Sequence, residues 1–447
     1  MSAGEQIPET RFTRVGKDRI AYQVLGEGPN DLVYLPSSQD CIDLIWEFPP
    51  YERLLRRLAT FSRLITFDRR GAGASDAAPA DGLAAWESWA DDAGAVLDTV
   101  GSEQAALFGH SDGGPTALLF AATRPERTRA VVLFNASARF LKDDDYPFGL
   151  DQGEADAAQE FLIDAWGTSA LASFTPLLAG DPAYVRWLTK SQRLTRRPRE
   201  AAAYYRWVQH TDVRQVLPSV RAPTMILHRK GAPYVTVDQG RYLAEHIQDA
   251  RFVPLEGTQS VTYEEPNDDI LEHIEEFLSG LGGPIESDRA LAAILYTDIV
   301  GSTERVSTMG DREWRNLLDT HDAVAHTIVE QHRGMIVKTT GDGLLATFAG
   351  PGRAIRCALA LRDALQPLGL EIRAGLHTGE VEMRGTDIAG IAAHIAARVL
   401  EAAPPGELLV SAAVPMLVAG SGFEFEDRGE YELKGVPGTW RLFTVAT

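Results

Sequence analysis

Cysteine is scarce in this sequence. Only Cys41 and Cys357 occur among its 447 residues. Because the two lie in distant segments, we expect no disulfide framework and a reducing, cytoplasmic environment.

Long apolar runs are also missing. No stretch approaches the ~20 consecutive apolar residues of a membrane span. The opening residues, MSAGEQIPETRF, have neither the basic start nor the apolar core of a secretory signal. We therefore expect a cytoplasmic protein without a membrane span.

Positive charge is in deficit, since 43 Lys and Arg stand against 63 Asp and Glu, a formal net charge of −20. Such an acidic chain is a poor general binder of polyanions, so we expect no nucleic-acid partner. Apolar residues make up 45% of the chain. That content is enough for packed cores, and the length suggests about two or three domains.

One segment has the composition of a domain boundary. SGLGGPIESDRA, residues 279–290, combines Gly, Pro, Ser and charge between the helix-like DDILEHIEEFL and the strand-like LAAILYTDIV. We predict a first domain at residues 1–280, a linker at 281–289 and a second domain at 290–447.

In the first domain, short apolar runs alternate with helical patterns. The predicted strands are DLVYLP, RLITFD, AALFGH, AVVLFN, PTMILHR and ARFVPLEG. Nearly continuous apolar runs are typical of strands buried on both faces of a parallel sheet. Residues 150–215 interrupt the alternation with helical patterns, which predicts a helical cap over the sheet.

FGHSDGG, residues 108–114, predicts a strand, a sharp turn and a helix with Ser111 at the apex. This is the G-x-S-x-G layout of a nucleophile elbow. With FDRRGAGASD and the late PTMILHRKGAPYV, it makes residues 10–280 resemble the α/β-hydrolase fold with a helical cap. The fold alone says little about activity.

The resemblance also implies where a triad acid and histidine would lie. Ala232 occupies the acid's turn, Gln259 and Ser260 occupy the turn of the histidine, and LPSSQD replaces the usual oxyanion-loop HG. Without an imidazole, the Ser111 hydroxyl is not activated near neutral pH. We predict a degenerate elbow in which the small residues serve the turn.

Other residues of the chain offer an alternative acid and base. The candidate acids are Asp143, Asp144 and Asp145, and the candidate bases are His210 and His228. Neither histidine lies in the expected turn. We therefore expect a sensing or structural domain whose cavity takes a small apolar ligand.

Two carboxylates stand out in the second domain. Asp298 ends an apolar strand, and Asp342 lies in the turn TGDG, so each is placed to hold a hard cation. IVGSTE then opens a helix whose backbone N–H groups, with Ser302 and Thr303, offer an anion site. Each feature alone is ordinary, but together they indicate a metal–polyphosphate substrate.

This ensemble resembles the class III nucleotidyl cyclase catalytic domain, over residues 290–446 and five ordered motifs. The resemblance implies an α+β domain with a ferredoxin-like core and two Mg²⁺ or Mn²⁺ ions per site. It implies metal binding by Asp298, Asp342 and the backbone of Ile299. It implies phosphate contacts from Gly301, Ser302, Thr303, Arg373 and Lys434.

The resemblance also assigns base selection to Lys338 and Asp387. A lysine donates to N1 of adenine and a carboxylate accepts from its amino group, whereas guanine presents the opposite pattern. Mismatched buried polar groups are costly, so ATP is favoured over GTP. The alternative is that Lys338 is only a solvated strand residue.

DIAGIAAHIAARVL predicts a helix with Asp387 at its start and His394 and Arg398 on the same face. The adjoining apolar stripe is Ile388, Ile391, Ile395 and Val399. The resemblance implies that Arg398 neutralises the transferring phosphoryl group, with His394 and Lys434 also catalytic. His394 departs from the family's asparagine, a difference that we expect to change the rate more than the reaction type.

The predicted function is conversion of ATP into 3′,5′-cyclic AMP and pyrophosphate. The resemblance implies a head-to-tail homodimer, because metal-binding and base-reading residues of one site come from different subunits. Two alternatives remain: a serine ester or lipid hydrolase with a cyclase-like appendage, and a non-catalytic nucleotide-binding regulator.

Overall fold

The computed structural model describes residues 6–35, 37, 40–77, 85–281, 289–339, 341–384 and 387–446. They form two compact units, and each is described by itself below. The predicted linker, residues 281–289, falls almost wholly on residues 282–288, which lie outside the described residues. Its role as a linker therefore stays a prediction.

The first unit is built on a mostly parallel sheet. Its described strands are β1 (Arg11–Val15), β2 (Asp18–Leu25), β3 (Asp31–Leu35), β4 (Arg63–Phe67), β5 (Ala105–His110), β6 (Thr128–Phe134), β7 (Thr224–Arg229) and β8 (Arg251–Leu255). Its helices are α1 (Pro49–Leu58), α2 (Ala85–Thr99), α3 (Gly114–Thr123), α4 (Gln152–Ala165), α5 (Pro182–Thr195), α6 (Pro198–His210), α7 (Val237–His246) and α8 (Asp268–Ser279).

The strand order is β1-β2-β4-β3-β5-β6-β7-β8. Strands β3 to β8 run parallel, which confirms all six strands predicted from apolar runs. Every residue of β5 and β7 is buried, as strands covered on both faces require. The antiparallel hairpin of β1 and β2 is an addition that those runs did not indicate.

Helices α4, α5 and α6 make the predicted insertion helical. Trp187 and Tyr184 of α5 are buried against aromatic side chains of the unit's main core. Trp187 stacks on Phe48 at a ring distance of 4.9 Å, and its indole N–H donates to the carbonyl of Leu44 at 2.7 Å. These contacts fix the cap onto the sheet-bearing part of this unit.

The second unit is α+β, as predicted. Its described strands are β9 (Arg289–Ile299), β10 (Met335–Thr339), β11 (Gly343–Phe348), β12 (Ile372–Arg384), β13 (Asp387–Ala389), β14 (Leu408–Ser411), β15 (Phe425–Glu432) and β16 (Thr439–Val445). Its helices are α9 (Ser302–Met309), α10 (Asp311–Gln331), α11 (Pro351–Leu365), α12 (Ile391–Ala402) and α13 (Ala413–Leu417).

Strand β9 of the second unit pairs with β11 on one side and with β12 on the other. The order is β10-β11-β9-β12-β14-β16-β15, and β13 pairs with β12. Leu295 of β9 packs with side chains of α10 and α11, whereas the adjacent Ile294 packs with side chains of α12. Alternate residues of the strand are thus buried on opposite faces, which explains its unbroken apolar run.

The predicted helix that starts at Asp387 is wrong in its first turn. Asp387 lies in β13, where it pairs with Arg384 of β12, and α12 begins only at Ile391. Gly390, with φ +123°, separates the two elements. Asp387 therefore shares no helix face with His394.

The predicted apolar stripe of that helix also changes. Ile388 is buried from β13 rather than from α12, and Ile391 is 55% exposed. Ile395 and Val399 are buried as predicted, together with Ala392 and Ala396. None of the described helices is both long and apolar enough to cross a bilayer.

Candidate active site

Strand register places Asp298, near the end of β9, beside Asp342, which directly precedes β11. Asp298 pairs with Gly343, the residue that follows Asp342, and the N–H of Ile299 donates to the carbonyl of Asp342 at 3.0 Å. A Cβ on Gly343 would lie 1.9 Å from the carbonyl oxygen of Thr297. Glycine is therefore required for the close approach that places these aspartates together.

Each of these two carboxylates has a nearby donor. Arg373 of β12 lies opposite Asp298, and its Nε and Nη2 donate to Asp298 Oδ2 at 3.2 and 2.9 Å. The Ser302 hydroxyl donates to Asp342 Oδ2 at 2.5 Å. Four of the predicted site residues thus form one cluster at the strand ends.

The start of α9 completes this cluster. Gly301 adopts a left-handed φ of +68° and lets the chain turn from β9 into the helix at Ser302. Thr303 lies in the first turn, but its side chain is outside what the structure describes. The first turn of α9 carries the partial positive charge of a helix N-terminus, which favours an anion.

The donor set fits a hard divalent cation. Asp298 and Asp342 offer carboxylate oxygens, and Ile299, which follows Asp298, offers a backbone carbonyl. Among the described residues, no group of three or more His, Cys, Asp or Glu side chains is arranged for a metal. Two carboxylates suit Mg²⁺ or Mn²⁺, because such ions take their remaining ligands from water and substrate phosphates.

The predicted base-reading residues also contact each other. Lys338 Nζ of β10 lies 3.4 Å from Asp387 Oδ1 of β13, with both side chains about half exposed. The N–H of Ile388 donates to the same Asp387 oxygen at 2.9 Å. Burial raises the pKa of the nearby Tyr296, and the charge of Asp387 adds to that shift. Lys338 therefore has a specific carboxylate partner rather than solvent alone.

A further carboxylate, Glu401, lies among the predicted phosphate-binding cations. Arg398 Nη1 donates to Glu401, and this bond lowers the pKa of the Glu401 carboxyl. The charges of Lys434 and Arg373 lower that pKa as well. His394 is exposed one turn earlier on α12. Sequence reasoning missed Glu401, although its spacing of three residues from Arg398 was a usable signal.

The strand–turn–helix layout around Ser111 in the first unit is confirmed. Ser111 follows β5 directly, has φ +50°, and is joined to α3 by a short 3-10 turn. A Cβ on Gly109 would lie 2.8 Å from the Gly113 carbonyl oxygen, and one on Gly113 would lie 2.7 Å from that of Leu35. These glycines allow the sharp turn that presents Ser111.

Ser111 opens onto a cavity of about 200 Å³. Ala232 and Ser260, which stand where the acid and base would belong, line the same cavity. His110 lines it too, but its Nδ1 contacts the Tyr34 hydroxyl at 3.2 Å, and burial lowers its pKa. No hydrogen bond joins Ser111 to a histidine among the described residues.

The alternative acids and bases are held elsewhere in the first unit. Asp143 and Asp145 form ion pairs with Arg214. His228 is buried, with Nε2 at 2.8 Å from the Val235 carbonyl oxygen, and burial lowers its pKa. None of the five alternatives, which include Asp144 and His210, belongs to the cavity lining that the structure describes.

Two family models match this chain. Residues 49–265 match the alpha/beta hydrolase fold, and residues 287–447 match the adenylate and guanylate cyclase catalytic domain. The chain joins a hydrolase-fold domain to a cyclase domain. We call these the hydrolase-fold domain and the cyclase domain below.

Curated relatives and solved structures match the two domains separately. The chain is 30% identical over 166 residues to a Rhizobium meliloti (strain 1021) protein named "Putative adenylate cyclase 3", which covers 35% of this chain and 28% of that protein. It is 30% identical over 166 residues to strigolactone esterase D14 of Arabidopsis thaliana, covering 36% of this chain and 60% of that protein. The chain thus spans less than two thirds of each of these relatives.

A solved esterase from Exiguobacterium antarcticum has the hydrolase fold in common with this chain. The match has a TM-score of 0.54 and 21% identity, and it covers 61% of this chain and all of the esterase. At this identity the likeness establishes the fold of the first domain and leaves its chemistry to the residues.

Proposed function

We propose that the cyclase domain converts ATP into 3′,5′-cyclic AMP and pyrophosphate. The observation that carries this proposal is the cluster of Asp298 and Asp342 with Ser302 and Arg373, inside a domain that matches the cyclase family. This cluster combines oxygen ligands for a cation with hydrogen-bond donors for a polyphosphate, where β9 ends and β11 begins.

In this proposal, Asp298, Asp342 and the Ile299 carbonyl hold two Mg²⁺ or Mn²⁺ ions. When bound, the ions supply charge neutralisation and a lower pKa for the attacking hydroxyl. The chain's own cationic side chains stabilise the remaining negative charge of the phosphates, because phosphoryl transfer depends on positioning and charge stabilisation. Arg373, Lys434 and the start of α9 hold the triphosphate chain, and Arg398 faces the transferring group.

Lys338 and Asp387 select adenine in this proposal. Their contact keeps one donor and one acceptor adjacent, which is the arrangement that N1 and the amino group of adenine require. In the absence of a nucleotide the two charges satisfy each other.

We propose a homodimer with shared active sites. Met335 of β10, Met383 of β12 and Ile391 of α12 are 42%, 38% and 55% exposed. These elements neighbour the predicted nucleotide-binding residues, and exposed apolar side chains of this kind suit a second copy of the domain.

We propose that the hydrolase-fold domain binds a small ligand without hydrolysing it. Its cavity persists, but Ala232 and Ser260 supply neither acid nor base to Ser111. A bound ligand would alter cyclase activity only if it binds two states of the protein unequally.

The deciding experiment is cyclic nucleotide formation by the purified chain from ATP and from GTP, with Mg²⁺ or Mn²⁺. Cyclic AMP that requires Asp298 and Asp342 supports the proposal. Nucleotide binding without pyrophosphate release would instead identify a non-catalytic regulator.

A further inference from the structure

The cavity above Ser111 has two unlike ends. Phe140, Leu150, Leu162 and Val208 form its apolar part, and the last two belong to cap helices α4 and α6. Asp40, His110, Ser111 and Asp112 line it where the parallel strands end. At about 200 Å³ it is smaller than the ~300–1,000 Å³ of drug-sized sites. It therefore suits a small molecule with one apolar end and one polar end.

The charged side chains in this described lining are both acidic. Asp40 and Asp112 are each only 4% exposed. Asp40 Oδ2 accepts from the N–H of Ser37 at 2.6 Å, and Asp112 Oδ2 accepts from the Tyr204 hydroxyl. Asp112 Oδ1 is buried and has no hydrogen-bond partner among the described residues. A buried carboxylate oxygen without a donor is unfavourable, so the cavity is built to receive a donor.

The buried Arg69 partly compensates the charge of Asp112, whereas Asp40 forms no ion pair among the described residues. Arg69 Nη1 lies 3.8 Å from Asp112 Oδ2, and Arg196 packs 4.1 Å from the centre of the Tyr204 ring, but neither arginine lines the cavity. Burial lowers the pKa of His110 even though both aspartates act to raise it. His110 is therefore neutral near neutral pH and adds no positive charge to the cavity.

Aromatic rings form part of the cavity wall. Tyr205, Tyr234, Tyr263 and Phe174 belong to the cavity wall, and the rings of Phe174 and Tyr234 are 4.9 Å apart. Aromatic faces attract ammonium groups, most strongly where water is excluded.

We propose that this cavity binds a small organic cation, an alkylammonium whose head lies at Asp40 and Asp112 and whose chain packs against the cap. The proposal rests on the ligand-binding role proposed for the hydrolase-fold domain, but not on cyclase activity. Carboxylates, the products of ester hydrolysis, are disfavoured because their charge would meet the buried carboxylate of Asp40, which has no ion pair among the described residues.

Three probes with the same chain test the charge preference. Calorimetric titration of the full chain would compare hexylammonium, hexanol and hexanoate near neutral pH. We expect hexylammonium to bind at least about tenfold more tightly than hexanol, a difference of ~1.4 kcal/mol, and hexanoate not to bind. Hexanoate binding as tightly as hexylammonium, or no binding of any probe, would overturn the proposal.

A variant tests the assigned residue. Asp40→Asn keeps the side-chain shape and should weaken hexylammonium at least about tenfold, while hexanol changes by less than about twofold. Glu160→Gln, an exposed acid on α4, is the matched control and should change neither. Unchanged hexylammonium affinity in Asp40→Asn would refute the assignment. If that variant fails to fold, the three-probe comparison on the unmodified chain still decides.

These measurements report binding directly. Failure of hexylammonium to bind would leave the cyclase proposal standing, because cyclic AMP formation is measured without the probe.

Discussion

Arg373 and Asp298 face each other across the β9–β12 pair, and the guanidinium donates twice to a single carboxylate oxygen, Oδ2. The arginine thus balances the charge of a carboxylate assigned to a metal. In the proposed function, a cation held by Asp298 would weaken the attraction of Arg373 to that carboxylate. The guanidinium would then be available to a phosphate, so metal binding and phosphate binding would be coupled.

Both clustered carboxylates should be required for activity. Asp298→Ala or Asp342→Ala is expected to lower cyclic AMP formation by about 10²- to 10³-fold, because each removes charge stabilisation at the reacting phosphates. The rate with Mg²⁺ and with Mn²⁺ measures this. Asp363→Ala, an exposed acid on α11, is the control. Near-normal rates in either cluster variant would refute the metal assignment.

A shared-site dimer predicts complementation. Asp298→Ala and Arg398→Ala chains should each be nearly inactive alone, and their mixture should recover activity, because one site of a mixed dimer keeps both residues. The measurement is cyclic AMP formation at increasing ratios of the two chains. If two folded, dimeric variants stay inactive when mixed, the sites lie within single chains.

Base choice should follow the Lys338–Asp387 pair. Lys338→Glu replaces a hydrogen-bond donor with an acceptor, and Asp387→Ala removes an acceptor. The ratio of kcat/KM for ATP to that for GTP is expected to fall at least about tenfold, since a mismatched buried group costs ~1–3 kcal/mol. An unchanged ratio would show that other residues read the base.

Glu401 should compete with the substrate for Arg398. Because hydrogen bonding to Arg398 lowers its pKa, Glu401 stays ionised at neutral pH, and the contact is lost only as pH falls through that lowered pKa. Glu401→Gln is expected to lower KM for ATP about twofold to fivefold. Glu407→Gln, which removes the exposed pair with Arg428, serves as the control. A KM that rises in Glu401→Gln would show that the contact positions Arg398 productively.

Ser111 should not act as a nucleophile towards fluorophosphonates or acyl esters. We expect no stoichiometric labelling by a serine-directed fluorophosphonate and negligible turnover of short acyl esters, because losing triad members costs several powers of ten in rate. Labelling is measured by intact mass, with Ser111→Ala as the control. Labelling of the unmodified chain together with ester turnover that Ser111→Ala abolishes would establish an active hydrolase.

The parallel strands of the first unit could be predicted because strands buried on both faces need little besides apolar residues. The juxtaposition of Asp298 and Asp342 was also expected, since the resemblance gave both residues one metal-binding role. Asp387 was misplaced because DIAGIAAHIAA has helical spacing throughout. Only the β12–β13 pairing and the positive φ of Gly390 show where the helix begins.

The acidic lining of the cavity was beyond sequence reasoning. Asp40 follows a strand in a loop, and Asp112 lies in the tight turn after Ser111, so either could have been solvated. Both are buried, and Asp112 accepts from Tyr204 of α6, a residue distant in sequence. Local patterns do not report such long-range contacts.

The two strands that carry proposed nucleotide-site residues, β9 and β10, differ in how many neighbours they have in the second sheet. β9, which ends at Asp298, has a hydrogen-bonded neighbour on each side and helices over both faces, whereas β10, which carries Lys338, is the last strand in the sheet order. Amide hydrogens of β9 should therefore exchange with solvent only on near-global unfolding, and those of β10 by local opening. The proposed cation ligand on β9 would therefore be held rigidly, whereas β10, which would contact the base, could open locally.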